Sequence, residues 1–323
     1  MAAETVTLED IARARRVVER WLPRAPLERS PLLSRELGGE VWLKIETFKP
    51  TRTFKARGAL NAIASLDADA RGCGVVAASG GSHGLGVAWA ASTLGTSAVI
   101  VMPETVSGEI VAGCRDLGAR VVLRGTIYDE SLVLAHEFER EEGRTFISAY
   151  ADPRIIAGQG TVGAEILEDL PDVELVVLPV GGGGLFAGAA LALHGARSSV
   201  RVIGVEPVGS DAVGRSLAAG MPVALERPWS IADKLVSGTT AQLNLALIRE
   251  HAAGCVTVDE DAILAATREY VVRHALLVEP AGAVPLAAVR SGRVDVRGTR
   301  CVLVVTGGNL TPAVLQRALS VAG

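Results

Sequence analysis

Leu175-Val176-Val177-Leu178-Pro179-Val180-Gly181-Gly182-Gly183-Gly184-Leu185-Phe186-Ala187-Gly188-Ala189-Ala190-Leu191 reads as a strand, a turn without side chains and the start of a helix. The apolar run 175–180 has the composition of a strand buried on both faces. Four consecutive glycines let backbone N–H groups converge on an anion, and the dipole of the helix that follows adds partial positive charge at the same place. A flexible linker would be flanked by polar or Pro/Ser-rich sequence, whereas both flanks here are apolar. The expected anion is a phosphate, and more than one kind of molecule could carry it. Gly182-x-Gly184-x-x-Ala187 fits the dinucleotide fingerprint, and Glu206 closes the next apolar run, where a ribose-binding acid would sit. On this stretch alone an NAD-type cofactor is a rival.

The same alternation extends along the chain. Strand candidates at 41–45, 74–78, 98–102, 120–123, 174–180, 201–205, 255–258 and 301–305 are each followed by a helix candidate, the pattern of βαβ crossovers. Thr7-Leu8-Glu9-Asp10 before 11–21 reads as a capping box opening the first helix, with Pro23 closing it. The fold expected is α/β, in two lobes of twisted, mainly parallel sheet with helices on both faces, because one sheet of this many strands would be large. The chain has 323 residues, 49% of them apolar, and a net charge of −4. No apolar run is long enough to span a membrane, no basic stripe suggests nucleic acid, and residues 1–4 lack the pattern of a secretory leader. Cys73, Cys114, Cys255 and Cys301 show no metal spacing and read as thiols of a reducing compartment. A cytoplasmic protein is expected.

Three further places carry chemistry. Lys55, in Thr53-Phe54-Lys55-Ala56-Arg57-Gly58, falls where a helix over 55–66 begins, an unfavourable end for a cation unless an anionic cofactor is tied to it. Ser79-Gly80-Gly81-Ser82-His83-Gly84 is a second strand–turn–helix junction, before a helix over 85–94, with hydroxyls and N–H groups suited to a carboxylate. His83 has no partner at metal-ligand spacing and reads as structural. Thr306-Gly307-Gly308-Asn309 follows the last strand, so all these loops sit at carboxyl ends of strands, where open α/β sheets bind ligands.

Together these stretches, with Glu279-Pro280-Ala281-Gly282-Ala283, resemble the fold-type II pyridoxal phosphate (PLP) enzymes, the tryptophan-synthase-β-like superfamily. Within it they are most similar to the serine/threonine dehydratase and serine racemase branch, over nearly the whole chain. The resemblance implies that Lys55 holds PLP as a Schiff base and then takes the substrate α-proton. It implies a phosphate cradle of Gly181, Gly182, Gly183, Gly184 and Leu185, with Phe54 beside the cofactor ring, Thr306 at the pyridine nitrogen, and Ser82 and Glu279 also at the cofactor. Ser79, Gly80, Gly81, Ser82 and His83 would close on the substrate carboxylate. The implied reaction is dehydration and deamination of a small hydroxy-amino acid such as L-threonine, L-serine or 3-hydroxyaspartate to a 2-oxo acid and ammonia. Racemisation, β-replacement and, more remotely, NAD-dependent oxidoreduction are the alternatives.

Departures from the branch refine this. Thr53 replaces a serine and keeps the hydroxyl; Ser82 stands where an asparagine is usual. Gly80 occupies the position of the serine that racemases use as a second base, which favours dehydration. Lys234, in Ala232-Asp233-Lys234, replaces a glycine close to the cofactor; it either points to solvent or favours a substrate with a second acidic group. Glu206 matches a first ligand of a divalent site in some relatives; the companion aspartate position falls on Ala212, with Asp211 adjacent, and with one ligand counted no tightly bound metal is expected. A large cofactor-binding unit over 1–67 plus 151–323 and a small substrate-closing unit over 68–150 are expected, in a homodimer. No regulatory domain is expected beyond the last helix candidate, 312–321.

Overall fold

The computed structural model describes residues 5–321, so the reading of residues 1–4 and the outer ends of the large unit lie outside the described residues. Two sheets form the frame. The first has six strands in the order β1-β2-β10-β7-β8-β9. These are β1 (Leu27–Arg29), β2 (Glu40–Ile45), β7 (Leu175–Pro179), β8 (Arg201–Pro207), β9 (Gly254–Val258) and β10 (Arg300–Val305). The second has the order β5-β4-β3-β6, built from β3 (Val75–Ala78), β4 (Ala98–Met102), β5 (Arg120–Leu123) and β6 (Thr145–Phe146). Every pairing is parallel except that of β1 with β2.

Apolar runs become strands here because helices cover both faces of each sheet. Alternate residues of β7 feed different cores: Val176 and Leu178 pack with Ile156, Val162 and Phe186, while Leu175 and Val177 pack with Val284, Leu286 and Val41. In the second sheet, Val75 and Ala77 face one core and Val76 and Ala78 the other. Sequence reading did not mark β1 and β6, which are too short to show a period.

Helix starts follow local chemistry. Thr7 and Asp10 cap Leu8–Trp21 reciprocally, Asp10 N donating to Thr7 Oγ1 at 3.2 Å and Thr7 N to Asp10 Oδ2 at 2.8 Å. The helix expected over 85–94 begins earlier, spanning Ser82–Thr93. The Ser79 hydroxyl accepts from Gly81 N (3.0 Å) and Gly84 N (2.7 Å), which closes the turn within three residues and draws Ser82 and His83 into the first helical turn. The helix bearing Lys55 spans Lys55–Ala64 and ends two residues before the expected 66.

That helix is anchored by a buried ion cluster. The Arg57 guanidinium donates to both Glu46 oxygens at 2.9 Å, to both Glu165 oxygens at 2.7 Å, and to Thr161 Oγ1 at 3.0 Å. Lys44 Nζ adds a contact of 2.8 Å to Glu165. Burial by itself would raise Glu165, but Arg57 and Lys44 hold it down at about 2. Arg57 therefore ties the helical turn that follows β2, the Lys55 helix and the helix Pro153–Asp169 into one unit.

Candidate active site

Three neighbouring strands of the larger sheet deliver the site. β2 runs through a single helical turn, Glu46–Phe48, toward Phe54 and Lys55; β10 ends at Thr306; β7 ends at the glycines. Because β10 lies between β2 and β7 and all three are parallel, these segments emerge at one edge. Phe54 N donates to Thr306 O at 3.1 Å, and Thr53 pairs with Gly307, which joins the first two directly.

Lys55 Nζ donates to Ala149 O at 2.9 Å and lies 5.3 Å from the centre of the Phe54 ring. The residue keeps some exposed surface, yet the protein packed around its amine pushes the pKa down to about 8. The next residue, Tyr150, packs on the glycine loop. A Cβ at Gly182 would stand 2.4 Å from the Tyr150 ring, and one at Gly184 3.0 Å from its Cα. Gly181 faces Leu235 backbone at 3.3 Å, and Gly183 has φ +92° in the left-handed region. Each glycine is thus required by its surroundings. Asn244 Nδ2 donates to Gly182 O (2.7 Å) and Tyr150 O (3.1 Å), and Thr240 Oγ1 to Gly182 O (3.1 Å), so the loop's carbonyl side is held. The following helix, Gly184–Ala190, continues through a wider turn over Leu191–Gly195, and its first N–H groups lie ahead of any i−4 carbonyl inside the helix.

The 79–83 loop comes from β3 of the other sheet. It reaches the same place because the Ser82–Thr93 helix crosses the start of the Lys55 helix so closely that a Cβ at Gly86 would stand 3.1 Å from the Lys55 carbonyl carbon. Asn309 Nδ2 spans the two sheets' segments, donating to Ser82 Oγ at 3.2 Å and Thr51 O at 3.0 Å. The Ser79 hydroxyl is turned into its own loop, as described above, whereas Gly80 borders open space. His83 is buried and held neutral: burial, aided by the charge of Lys55, pushes it down to about 3. Its Nε2 lies 2.9 Å from Ile147 O, a carbonyl that can only accept, so the proton sits on Nε2. Its Nδ1 is buried with no hydrogen-bond partner among the described residues.

Glu279 lies under the β10 loop, its Oε2 accepting from Asn309 N at 3.1 Å, and Gly307 must lack a side chain because its Cβ would stand 2.3 Å from Glu279 Oε1. Burial pushes Glu279 up to about 7, with the Lys234 charge pulling the other way. Lys234 does not point to solvent. Its side chain, 17% exposed, lies along Gly81 and pairs with Asp233 at 2.5 Å.

Glu206, the residue the dinucleotide reading needed, faces inward. Its oxygens accept from Val213 N and Gly214 N, both at 2.8 Å, at the start of the helix Ala212–Ala219, and burial pushes its pKa up to about 7. A carboxylate committed to the N–H groups of the next helix is not available to a ribose, which removes the main support of the NAD reading. Tyr150, Asn244, Thr240 and Asn309 escaped the sequence reading as organisers of the site. Only Asn309 carried a signal, as the last residue of Thr306-Gly307-Gly308-Asn309.

The model of the family described as pyridoxal-phosphate dependent enzyme matches residues 18–307. The chain is 39% identical over 315 residues to the L-threonine ammonia-lyase of Thermotoga maritima, covering 98% of this chain and 78% of that protein. Among solved structures it resembles the processed form of threonine deaminase isoform 2 from Solanum lycopersicum, with a TM-score of 0.92, 31% identity, and 99% and 96% of the two chains covered. It also resembles maize serine racemase, with a TM-score of 0.92, 29% identity, and 98% and 97% covered.

Proposed function

The chain belongs to the pyridoxal-phosphate dependent enzyme family, and from that premise we propose that it dehydrates and deaminates a small hydroxy-amino acid, with L-threonine and L-serine as the first substrates to test. The products are a 2-oxo acid and ammonia. One juxtaposition carries the reading: Ala149 receives the Lys55 amine while Tyr150, its neighbour, packs on the glycine loop, so a desolvated amine and a side-chain-free N–H cradle meet across two consecutive residues.

The residues present fit the family's cofactor. The loop 181–184 offers N–H donors with no side chain in the way, and Lys55 supplies an amine whose pKa burial has brought to about 8. When bound, PLP supplies an electron sink that acidifies the substrate's α C–H bond. Gly181, Gly182, Gly183, Gly184 and Leu185 would hold its phosphate, and Phe54, Ser82, Glu279 and Thr306 would border the rest. Lys55 Nζ would hold the cofactor and is the group placed to accept a proton, its amine brought down to about 8 by burial. Thr306 would offer the cofactor's ring nitrogen a hydroxyl rather than a carboxylate, which would leave that nitrogen less protonated and favour loss of a β-substituent. Those backbone N–H groups of the 79–83 loop not already spent on Ser79 Oγ or Val101 O would take the substrate carboxylate, with His83 beside them held neutral. Gly80, with open space where a hydroxyl would be needed for proton return on the opposite face, supports elimination over racemisation.

The same reading treats residues 68–150 as a substrate-closing unit against the rest of the chain, with Asn309 to Ser82 as one link between them. It places the protein in the cytoplasm, supported by four free cysteines, and as a homodimer, for which light scattering is the check. Among the described residues no helix is long and apolar enough to cross a membrane.

The test is the absorption spectrum of the purified protein with 2-oxo acid release followed in parallel. We expect a visible cofactor band that is lost in Lys55→Ala, and product from L-threonine or L-serine that falls at least about 1,000-fold in the same variant. A protein that shows no band after incubation with PLP would refute the assignment.

A further inference from the structure

We propose that Lys234 reads a second acidic group on the substrate, so that the preferred hydroxy-amino acid carries a distal carboxylate, as 3-hydroxyaspartate does. The proposal rests on the β-elimination reading and deepens it.

The segment Ala232–Leu235 lies between two loops of the site. Leu235 backbone stands against Gly181 of the phosphate cradle, while Lys234 turns to Gly81 of the 79–83 loop. A Cβ at Gly81 would stand 3.1 Å from Lys234 Cε, 3.2 Å from Cδ and 3.8 Å from Nζ. The side chain is therefore laid along the loop assigned to the substrate carboxylate, with its ammonium near that loop. Gly80 beside it borders open space, where a Cβ would meet no atom within 4 Å. A cation thus edges an opening next to the carboxylate loop.

Its resting partner can yield. Asp233 is the preceding residue, 62% exposed, and free to swing into water. Because Asp233 is mostly in water, its hold on Lys234 is screened, and a substrate carboxylate can replace it. Glu279, whose charge interacts with Lys234, is buried and bound by Asn309 N, so it cannot turn to satisfy the ammonium itself. A neutral threonine methyl or a serine β-carbon without further substituent leaves the ammonium without a new partner, whereas a carboxylate at that position gives it one. A charge-assisted hydrogen bond of this type is worth about 10- to 100-fold in selectivity.

The experiment measures kcat/KM for L-threonine, L-serine and the 3-hydroxyaspartate diastereomers in the holoenzyme, Lys234→Met and Lys234→Gly. Inhibition constants for succinate and butyrate, together with their direct binding by calorimetry, provide a readout separate from turnover. We expect the wild type to favour one 3-hydroxyaspartate over serine by at least tenfold. The hydroxyaspartate-to-serine ratio should fall 10- to 100-fold in Lys234→Met, and the succinate-to-butyrate binding ratio should fall with it. Unchanged ratios overturn the proposal. So does an equal weakening of every ligand, which would put Lys234 on the α-carboxylate. If no hydroxy-amino acid yields a 2-oxo acid even in the wild type, the β-elimination reading fails, and the succinate and butyrate pair still decides whether Lys234 recognises a second carboxylate. Lys234→Met keeps the aliphatic packing on Gly81, so the test survives if the glycine variant does not fold.

Discussion

Replacing Arg57 by methionine removes the cation on which two buried carboxylates depend. The guanidinium makes five hydrogen bonds, to Glu46, Glu165 and Thr161, from a position with no exposed surface. Lys44 stays on Glu165 at 2.8 Å, so Glu46, itself fully buried, loses most. Breaking a buried pair by deleting one partner costs about 3–5 kcal/mol, a large share of a typical stability of about 5–15 kcal/mol. The loss carries a pH signature. Glu165 sits at about 2 in the folded protein against an ordinary 4.5. Its paired state therefore contributes on the order of 3 kcal/mol above about pH 5, and this is lost as pH falls toward 2. Without Arg57, burial acts on Glu165 against Lys44 alone, its pKa rises, and protonation in mild acid relieves the variant. The gap between wild type and Arg57→Met should be widest near pH 7.5 and narrow markedly by pH 4.5. Urea denaturation followed by circular dichroism across that range measures it. A gap below about 1 kcal/mol at pH 7.5, or one that stays constant down to pH 4.5, would refute the reasoning.

Gly182→Ala drives a methyl into the Tyr150 ring, whose backbone is held by Asn244 Nδ2 donating to Tyr150 O at 3.1 Å. The expected cost is about 1–3 kcal/mol with weaker cofactor retention, whereas Gly80→Ala, facing open space, should shift stability by less than about 0.5 kcal/mol; paired urea midpoints decide. Glu279 has its pKa raised by burial to about 7 against 4.5, so the stability it confers is present below about pH 4.5 and lost as pH rises through 7. Glu279→Gln should therefore flatten the fall of the thermal midpoint between pH 5 and 8, and parallel curves for the two proteins would contradict this.

Much of the site was legible because its chemistry is carried by short contiguous stretches. Gly181 to Gly184, Lys55 and the Ser79-Gly80-Gly81 turn declare themselves by residue type and by their place between a strand and a helix. The parts that were missed act through contacts between segments distant in the chain. Tyr150 is unremarkable in sequence and becomes decisive because it packs on glycines more than thirty residues later. Glu206 shows the converse: its position at the end of β8 suits a ribose, but its oxygens are taken by two N–H groups of the next helix. Lys234 was ambiguous between solvent and site, and only its packing along Gly81 separated the two.

By itself the sequence determined the strand–turn–helix alternation, the buried parallel character of the strands and the side-chain-free turn of the glycine loop. These follow from hydrophobic period and from glycine's freedom, which are local properties. Tertiary structure decided which loops share one edge. Lys55, Thr306 and Gly181 are brought together by the strand order β2-β10-β7, an order set by which helices cover which faces and invisible to any local window. It also decided the protonation of the site, because the shifts at Lys55, His83 and Glu279 arise from desolvation by residues remote in sequence.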